Sequence, residues 1–81
     1  MEDINLRVLL LAIYKKEDDE SLNDVILTLS NTKMFTQKEG KAYLKVLKNE
    51  SYIVDSKLTL KGIELAKVIE QEFKLWVKNI D

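Results

Sequence analysis

Four lysines recur at helical spacing in the middle of the chain, at Lys38, Lys41, Lys45 and Lys48. Because each residue of an α-helix advances by about 100° around the axis, these side chains fall within about 80° of one another, and Gln37 joins them. Ammonium groups on flexible stems make point-charge contacts to phosphate oxygens. A glutamine amide can pair with the edge of an adenine. The four lysines, which we call the lysine stripe, therefore predict a surface that binds double-stranded DNA.

The positive charge of the chain is concentrated around the lysine stripe. Residues 33–61 contain seven lysines and three acidic residues, a local balance of +4, whereas the whole chain carries −1 and the remainder therefore carries −5. The other lysines of this segment are Lys33, Lys57 and Lys61. Charges on an amphipathic helix are often no more than its solvated side. That interpretation remains the alternative, and the local excess of positive charge favours the functional one.

Two helices are predicted before this segment. Asp3 can cap a first helix over residues 4–16, whose middle, VLLLAIY, is apolar on nearly every side and belongs in a core. Ser21 can cap a second helix over residues 22–30, in which apolar residues recur at helical spacing. The acidic run EDDE between them predicts a solvated loop, or a negative fence that steers nucleic acid toward the other side of the molecule.

A third helix carries the lysine stripe. Thr36 and Glu39 form the capping box T-Q-K-E, which predicts that this helix begins at Gln37 and runs over residues 37–49. Its apolar side is separate from the lysine stripe and consists of Gly40, Tyr43, Leu44 and Leu47. The sequence thus sorts this helix into a side for the core and a basic side.

A hairpin and a long fourth helix complete the pattern. Short strand-like runs at residues 52–54 and 57–59 surround the dipeptide DS, which is suited to a two-residue turn. Thr59 can cap a fourth helix over residues 60–80. The length of this helix is about 30 Å, whereas the radius of a domain of this size is about 12 Å. The end of the helix should therefore project beyond the core.

The fourth helix carries more apolar surface than packing on one side requires. Six residues alternate spacings of four and three, as in the seam of a coiled coil, namely Gly62, Ala66, Ile69, Phe73, Trp76 and Ile80. Symmetric pairs are the commonest oligomers. We therefore expect a homodimer through residues 62–81, with an interface formed by Ala66, Ile69, Phe73, Trp76 and Ile80.

Composition limits the other chemistry that the chain could perform. Its 81 residues fit a single domain, residues 1–81, and include no cysteine and no histidine. This removes disulfides, thiolate chemistry, the usual zinc sites and histidine acid–base catalysis. No other polar residues form a recognisable catalytic set, so we expect no enzyme activity, no metal and no cofactor. The longest apolar run, residues 8–14, is too short for a membrane span, and the lack of disulfides fits the cytoplasm.

The order of elements resembles the winged helix-turn-helix fold. The segment YLKVLKNESYI, residues 43–53, is similar to the end of the recognition helix in that superfamily, where an L-x-x-L pair and a small turn lead into the wing. The segment LTLKG, residues 58–62, resembles the L-T-x-x-G segment with which MarR-like and PadR-like regulators leave the wing. Three features depart from the family pattern. The connection between the second and third helices is long, ES replaces the glycine usual before the wing, and the wing tip DS has no arginine.

The resemblance implies a mostly α-helical winged helix-turn-helix domain that binds double-stranded DNA as a small dimeric transcriptional regulator. In such proteins the third helix lies in the major groove and the wing touches the backbone. The DNA-contacting residues expected here are Thr36, Gln37, Lys38, Lys41, Lys45, Lys48 and Lys57. Two alternatives stay open, a winged-helix module for protein–protein contact and a DNA-binding accessory protein of a plasmid or phage.

Overall fold

The computed structural model describes the backbone of residues 3–80 and the side chains of residues 3–74. Four helices and one two-stranded antiparallel hairpin follow one another in the predicted order. They are α1 (Ile4–Lys15), α2 (Leu22–Asn31), α3 (Gln37–Asn49), β1 (Ile53–Val54), β2 (Lys57–Leu58) and α4 (Leu60–Ile80). The mostly helical fold with a small hairpin is thus confirmed, and the predicted ends of the elements differ from the observed ones by no more than one residue.

The first three helices begin where side chains can satisfy their free N–H groups. The Asp3 carboxylate accepts a hydrogen bond of 2.8 Å from the Asn5 N–H at the start of α1. Ser21 opens α2 with a full capping box, and Thr36 does the same for α3. Such caps are local in sequence, which is why these three starts could be predicted.

The end of α3 needs a left-handed residue, and a serine supplies it. Ser51 has a φ of 64°. Its N–H donates to the Lys48 carbonyl at 3.1 Å, and the Tyr52 N–H donates to the Leu47 carbonyl at 2.9 Å. This pair of bonds is a Schellman motif, in which glycine is the favoured residue at the left-handed position. The missing glycine noted in the sequence is therefore compensated by a strained serine.

The hairpin is short, and its turn is also left-handed. Asp55 and Ser56 have φ values of 52° and 65°, as expected for the two central residues of a type I′ turn. Val54 pairs with Lys57, and Ile53 pairs with Leu58. Because side chains alternate along a strand, Ile53 is buried while Val54 and Lys57 are exposed.

The core lies where α1 packs against the other three helices. The twelve buried apolar residues are Leu9, Leu10, Ile13, Leu22, Val25, Ile26, Phe35, Leu44, Leu47, Ile53, Ala66 and Ile69. They come from every helix, from β1 and, through Phe35, from the connection between α2 and α3, and they form one continuous core. Burial of this kind is the main source of stability in a small domain.

Two ion pairs fasten α4 along α1. The Arg7 guanidinium contacts the Glu72 carboxylate and also lies 5.7 Å from the centre of the Phe73 ring. The Lys15 ammonium contacts the carboxylate of Glu70. The hydrogen bond with Glu70 raises the pKa of Lys15, and the same bond lowers the pKa of Glu70. These contacts hold the middle of α4 against the first helix.

Candidate nucleic-acid interface

A close contact with α2 fixes the position of α3. Gly40 is buried, and a Cβ atom at this position would lie 2.7 Å from Ile26 and 2.8 Å from Phe35. The helices therefore approach more closely than an alanine would permit. Tyr43 secures the adjoining side of α3, since its ring lies edge-on to Phe35 and its hydroxyl accepts a hydrogen bond of 3.2 Å from the Asn5 amide. The orientation of α3 about its own axis is thus set by packing on several sides.

This orientation leaves the lysine stripe on the surface. Gly40, Leu44 and Leu47 are buried, whereas all four lysines and Gln37 are exposed. Among the side chains of residues 3–74, no carboxylate forms an ion pair with any of the four lysines. The ammonium groups of the lysine stripe are therefore free of acidic partners within that part of the chain, and their charge is available to an anionic ligand.

The start of α3 is less open to an anion than the lysine stripe is. The Thr36 hydroxyl oxygen accepts a hydrogen bond of 3.1 Å from the Glu39 N–H, and the Glu39 carboxylate accepts one of 2.9 Å from the Thr36 N–H. The carboxylate thus places a negative charge beside the N–H groups that would otherwise attract phosphate. Gln37, the first residue of α3, stays exposed.

The remaining lysines of the basic segment have different surroundings. Lys61 donates a hydrogen bond of 2.7 Å to the Glu50 carbonyl at the end of α3, and its ammonium lies 4.5 Å from the centre of the Tyr52 ring. Lys61 therefore stabilises the contact between the start of α4 and the end of α3. Lys57 is exposed and lines a shallow groove that also contains Lys16 and Asp18. The hairpin tip thus lies close to part of the acidic run that follows α1.

The expected dimer seam on α4 requires a correction. Ala66 and Ile69 have exposed fractions of 0% and 1% because they form part of the core of the single chain. They cannot serve as surface contacts. Phe73 is half-buried against the same core, whereas Val68 is 52% exposed. The side chains of Trp76 and Ile80 lie outside the described residues, so their part in an interface stays a prediction.

The structure also draws attention to residues that the charge pattern did not single out. Val46 of α3 is 40% exposed and lines an apolar groove of about 280 Å³ together with Leu6, Tyr52 and Glu50. Ala42 and Asn49 are exposed on the side of α3 opposite its buried face. A wheel drawn for α3 would have placed all three outside the apolar side, but only the lysines carry an evident chemical signal.

Other kinds of site find little support in the part of the chain that is described. No group of three or more carboxylates there is arranged to hold a metal ion. Among the described residues, no helix is long and apolar enough to cross a membrane. Comparison with protein-family models, with curated proteins and with solved structures finds no match for this chain.

Proposed function

We propose that this protein is a winged helix-turn-helix regulator that binds double-stranded DNA as a dimer and inserts α3 into the major groove. The observation that carries the proposal is the lysine stripe, four exposed lysines without acidic partners among the described side chains. They project from one side of a helix, and a different side of that helix is buried in the core. The major groove is about 12 Å wide and admits one α-helix, so these ammonium groups can reach the phosphates that border it.

The surroundings of α3 favour this helix over the hairpin as the main DNA contact. Lys57 shares its groove with Asp18 as well as Lys16, so Asp18 offsets part of the positive charge near the hairpin tip, whereas the lysine stripe has no acidic partner among the described side chains. The turn itself consists of Asp55 and Ser56 and presents no arginine to a minor groove. The hairpin therefore acts mainly as a brace between α3 and α4, and the lysine stripe supplies most of the affinity.

Dimerisation would place two copies of α3 on one face of the duplex. Regulators of this kind contact successive major grooves, which are about 34 Å apart along the DNA. The exposed Val68, together with the sequence beyond residue 74, makes α4 the element that joins the two chains. A dimer doubles the number of phosphate contacts and so increases the salt dependence of binding.

A salt titration tests the proposal. Binding of the wild-type chain to duplex DNA of random sequence should weaken linearly on a plot of log affinity against log salt concentration. The slope should correspond to several phosphate contacts, at about 0.9 for each contact. A chain that binds no duplex even at low salt, while remaining folded, would contradict the proposal.

A second candidate function is a module for protein–protein contact, and the apolar groove beside α3 favours it. The groove is lined by Leu6, Val46, Glu50 and Tyr52. The two functions respond differently to Val46→Lys. This substitution introduces a charge into the groove and should block a protein partner, whereas it adds a positive charge to a surface that would bind DNA. Stronger binding of this variant to duplex DNA of random sequence, where phosphate contacts dominate, would favour the first candidate.

A further inference from the structure

The side of α3 that faces away from the core carries three uncharged residues. Ala42 and Asn49 lie within about 20° of the direction opposite the mean of the three buried residues of this helix, since each residue advances by about 100°. Both are exposed. Val46, which lies between them along the axis, is turned about 50° from that direction and is 40% exposed, and Lys38 lies about 30° from it on the other side. We call Ala42, Val46 and Asn49 the outer ridge.

The outer ridge is uncharged, but charges of opposite sign flank it. Lys38 and Lys45 lie on one side, and Glu39 and Glu50 lie on the other. Phosphates are therefore attracted to one flank and repelled by the other. An approaching duplex would place a phosphate strand against the lysines, which leaves the outer ridge facing the base edges in the groove.

We propose that the outer ridge recognises A·T base pairs, chiefly by contact with the methyl group of thymine. This inference rests on the proposed function. The side chains of Ala42 and Val46 are apolar and match the thymine C5-methyl, the one apolar group on the major-groove edge. The Asn49 amide matches the adenine pair of N7 acceptor and N6 donor. None of the three offers the long cationic donor that guanine favours.

The dimensions of the outer ridge set the length of the sequence that it can read. Ala42 and Asn49 are seven residues apart, or about 10 Å along the helix axis. Successive base pairs rise by about 3.4 Å, so the ridge spans about three base pairs. The short side chain of Ala42 also lets the helix backbone approach the floor of the groove, while the longer lysines reach the phosphates. The preferred half-site should therefore contain a run of about three A·T pairs.

Three short duplexes of equal length test this inference with the wild-type chain. One contains A·T pairs, the second replaces every thymine by uracil and so lacks only the C5-methyl groups, and the third contains G·C pairs. Fluorescence anisotropy at one salt concentration gives the three affinities. We expect the uracil duplex to bind about fourfold more weakly than the A·T duplex, the effect of one buried methyl group. The G·C duplex should bind about tenfold more weakly than the A·T duplex.

Variants separate base reading from phosphate contact. Ala42→Gly should reduce the difference in affinity between the A·T and uracil duplexes, and Asn49→Ala should reduce the preference for A·T over G·C. Lys41→Ala is the matched control, since it should weaken binding to all three duplexes by the same factor. Equal binding of the A·T and uracil duplexes by the wild type would overturn this inference while DNA binding itself stands. Failure to bind any duplex would contradict the DNA-binding proposal and the inference with it.

Discussion

The α-carbon of Gly62 packs against the carbonyl oxygen of Tyr52, so that a Cβ atom at Gly62 would overlap this oxygen. The same carbonyl accepts a hydrogen bond of 3.0 Å from the Thr59 N–H. The Thr59 hydroxyl donates to the Ser51 carbonyl at 2.7 Å and accepts from the Gly62 N–H at 3.1 Å. The junction thus ties the end of α3 to the start of α4. It gives the L-T-x-x-G segment a structural reason that does not depend on DNA.

Gly62→Ala should destabilise the fold by about 3 kcal/mol. The new Cβ atom would clash with the backbone oxygen of Tyr52, and movement of a side chain cannot relieve a clash with backbone. Urea unfolding followed by circular dichroism measures the change. Glu64→Ala, at an exposed position of the same helix, is the control and should change the free energy of unfolding by less than about 0.5 kcal/mol. Equal stabilities of wild type and Gly62→Ala would show that this close approach is absent in solution.

Ser51→Gly should stabilise the protein by about 1 kcal/mol, since glycine adopts the left-handed conformation without the strain that a Cβ atom causes. Ser30→Gly provides the opposite case. Ser30 lies within α2, where glycine weakens a helix by about 0.5 kcal/mol relative to serine. The two substitutions make the same chemical change, so a shift of the urea midpoint in the same direction for both would contradict the conformational explanation.

The helix starts and the hairpin turn were predictable because their determinants are local. Thr36 and Glu39 are three residues apart, and the turn at Asp55 needs only its immediate neighbours. The partner of an apolar face is a different matter, since a seam such as Ala66 and Ile69 looks the same whether α1 or a second chain covers it. The structure assigns both residues to the core of one chain. Long-range polar contacts, such as that of Lys61 with the Glu50 carbonyl, leave no local signal either.

The ion pair of Lys15 with Glu70 should make stability depend on pH in the acidic range. Because this hydrogen bond lowers the pKa of Glu70 in the folded chain, the stabilisation is fully present above the unfolded value of about 4.3. It is lost as the pH falls through the lower folded pKa. Glu70→Gln should therefore lose less stability than the wild type between neutral pH and about pH 3.

Urea midpoints measured across this range give the comparison. Glu64 lies on the same helix and forms no ion pair among the described side chains. Glu64→Gln, which removes this carboxylate, is therefore the matched control. If Glu70→Gln and the wild type lose the same stability between neutral pH and about pH 3, the ion pair of Lys15 with Glu70 does not contribute to the pH dependence of stability.

Dimerisation through the second half of α4 predicts a mass of two chains in solution at tens of micromolar. Trp76→Ala should shift the mass measured by light scattering to one chain, since large aromatic residues tend to dominate interface energies. Lys67→Ala, an exposed change on the same helix, should leave the mass unchanged. A wild-type chain that stays monomeric at these concentrations would contradict the dimer, although a single chain could still bind DNA.

The most direct test of the central claim is the salt dependence of DNA binding by the double variant Lys41→Ala/Lys45→Ala. If the lysine stripe contacts phosphates, binding should weaken on every sequence, and the slope of log affinity against log salt concentration should fall by about two for each bound chain. The double variant Lys67→Ala/Lys74→Ala removes the same charge from exposed positions of α4 and should keep the wild-type slope. An unchanged slope and affinity in the α3 variant, with the fold intact, would contradict the assignment of α3 as the DNA-binding helix.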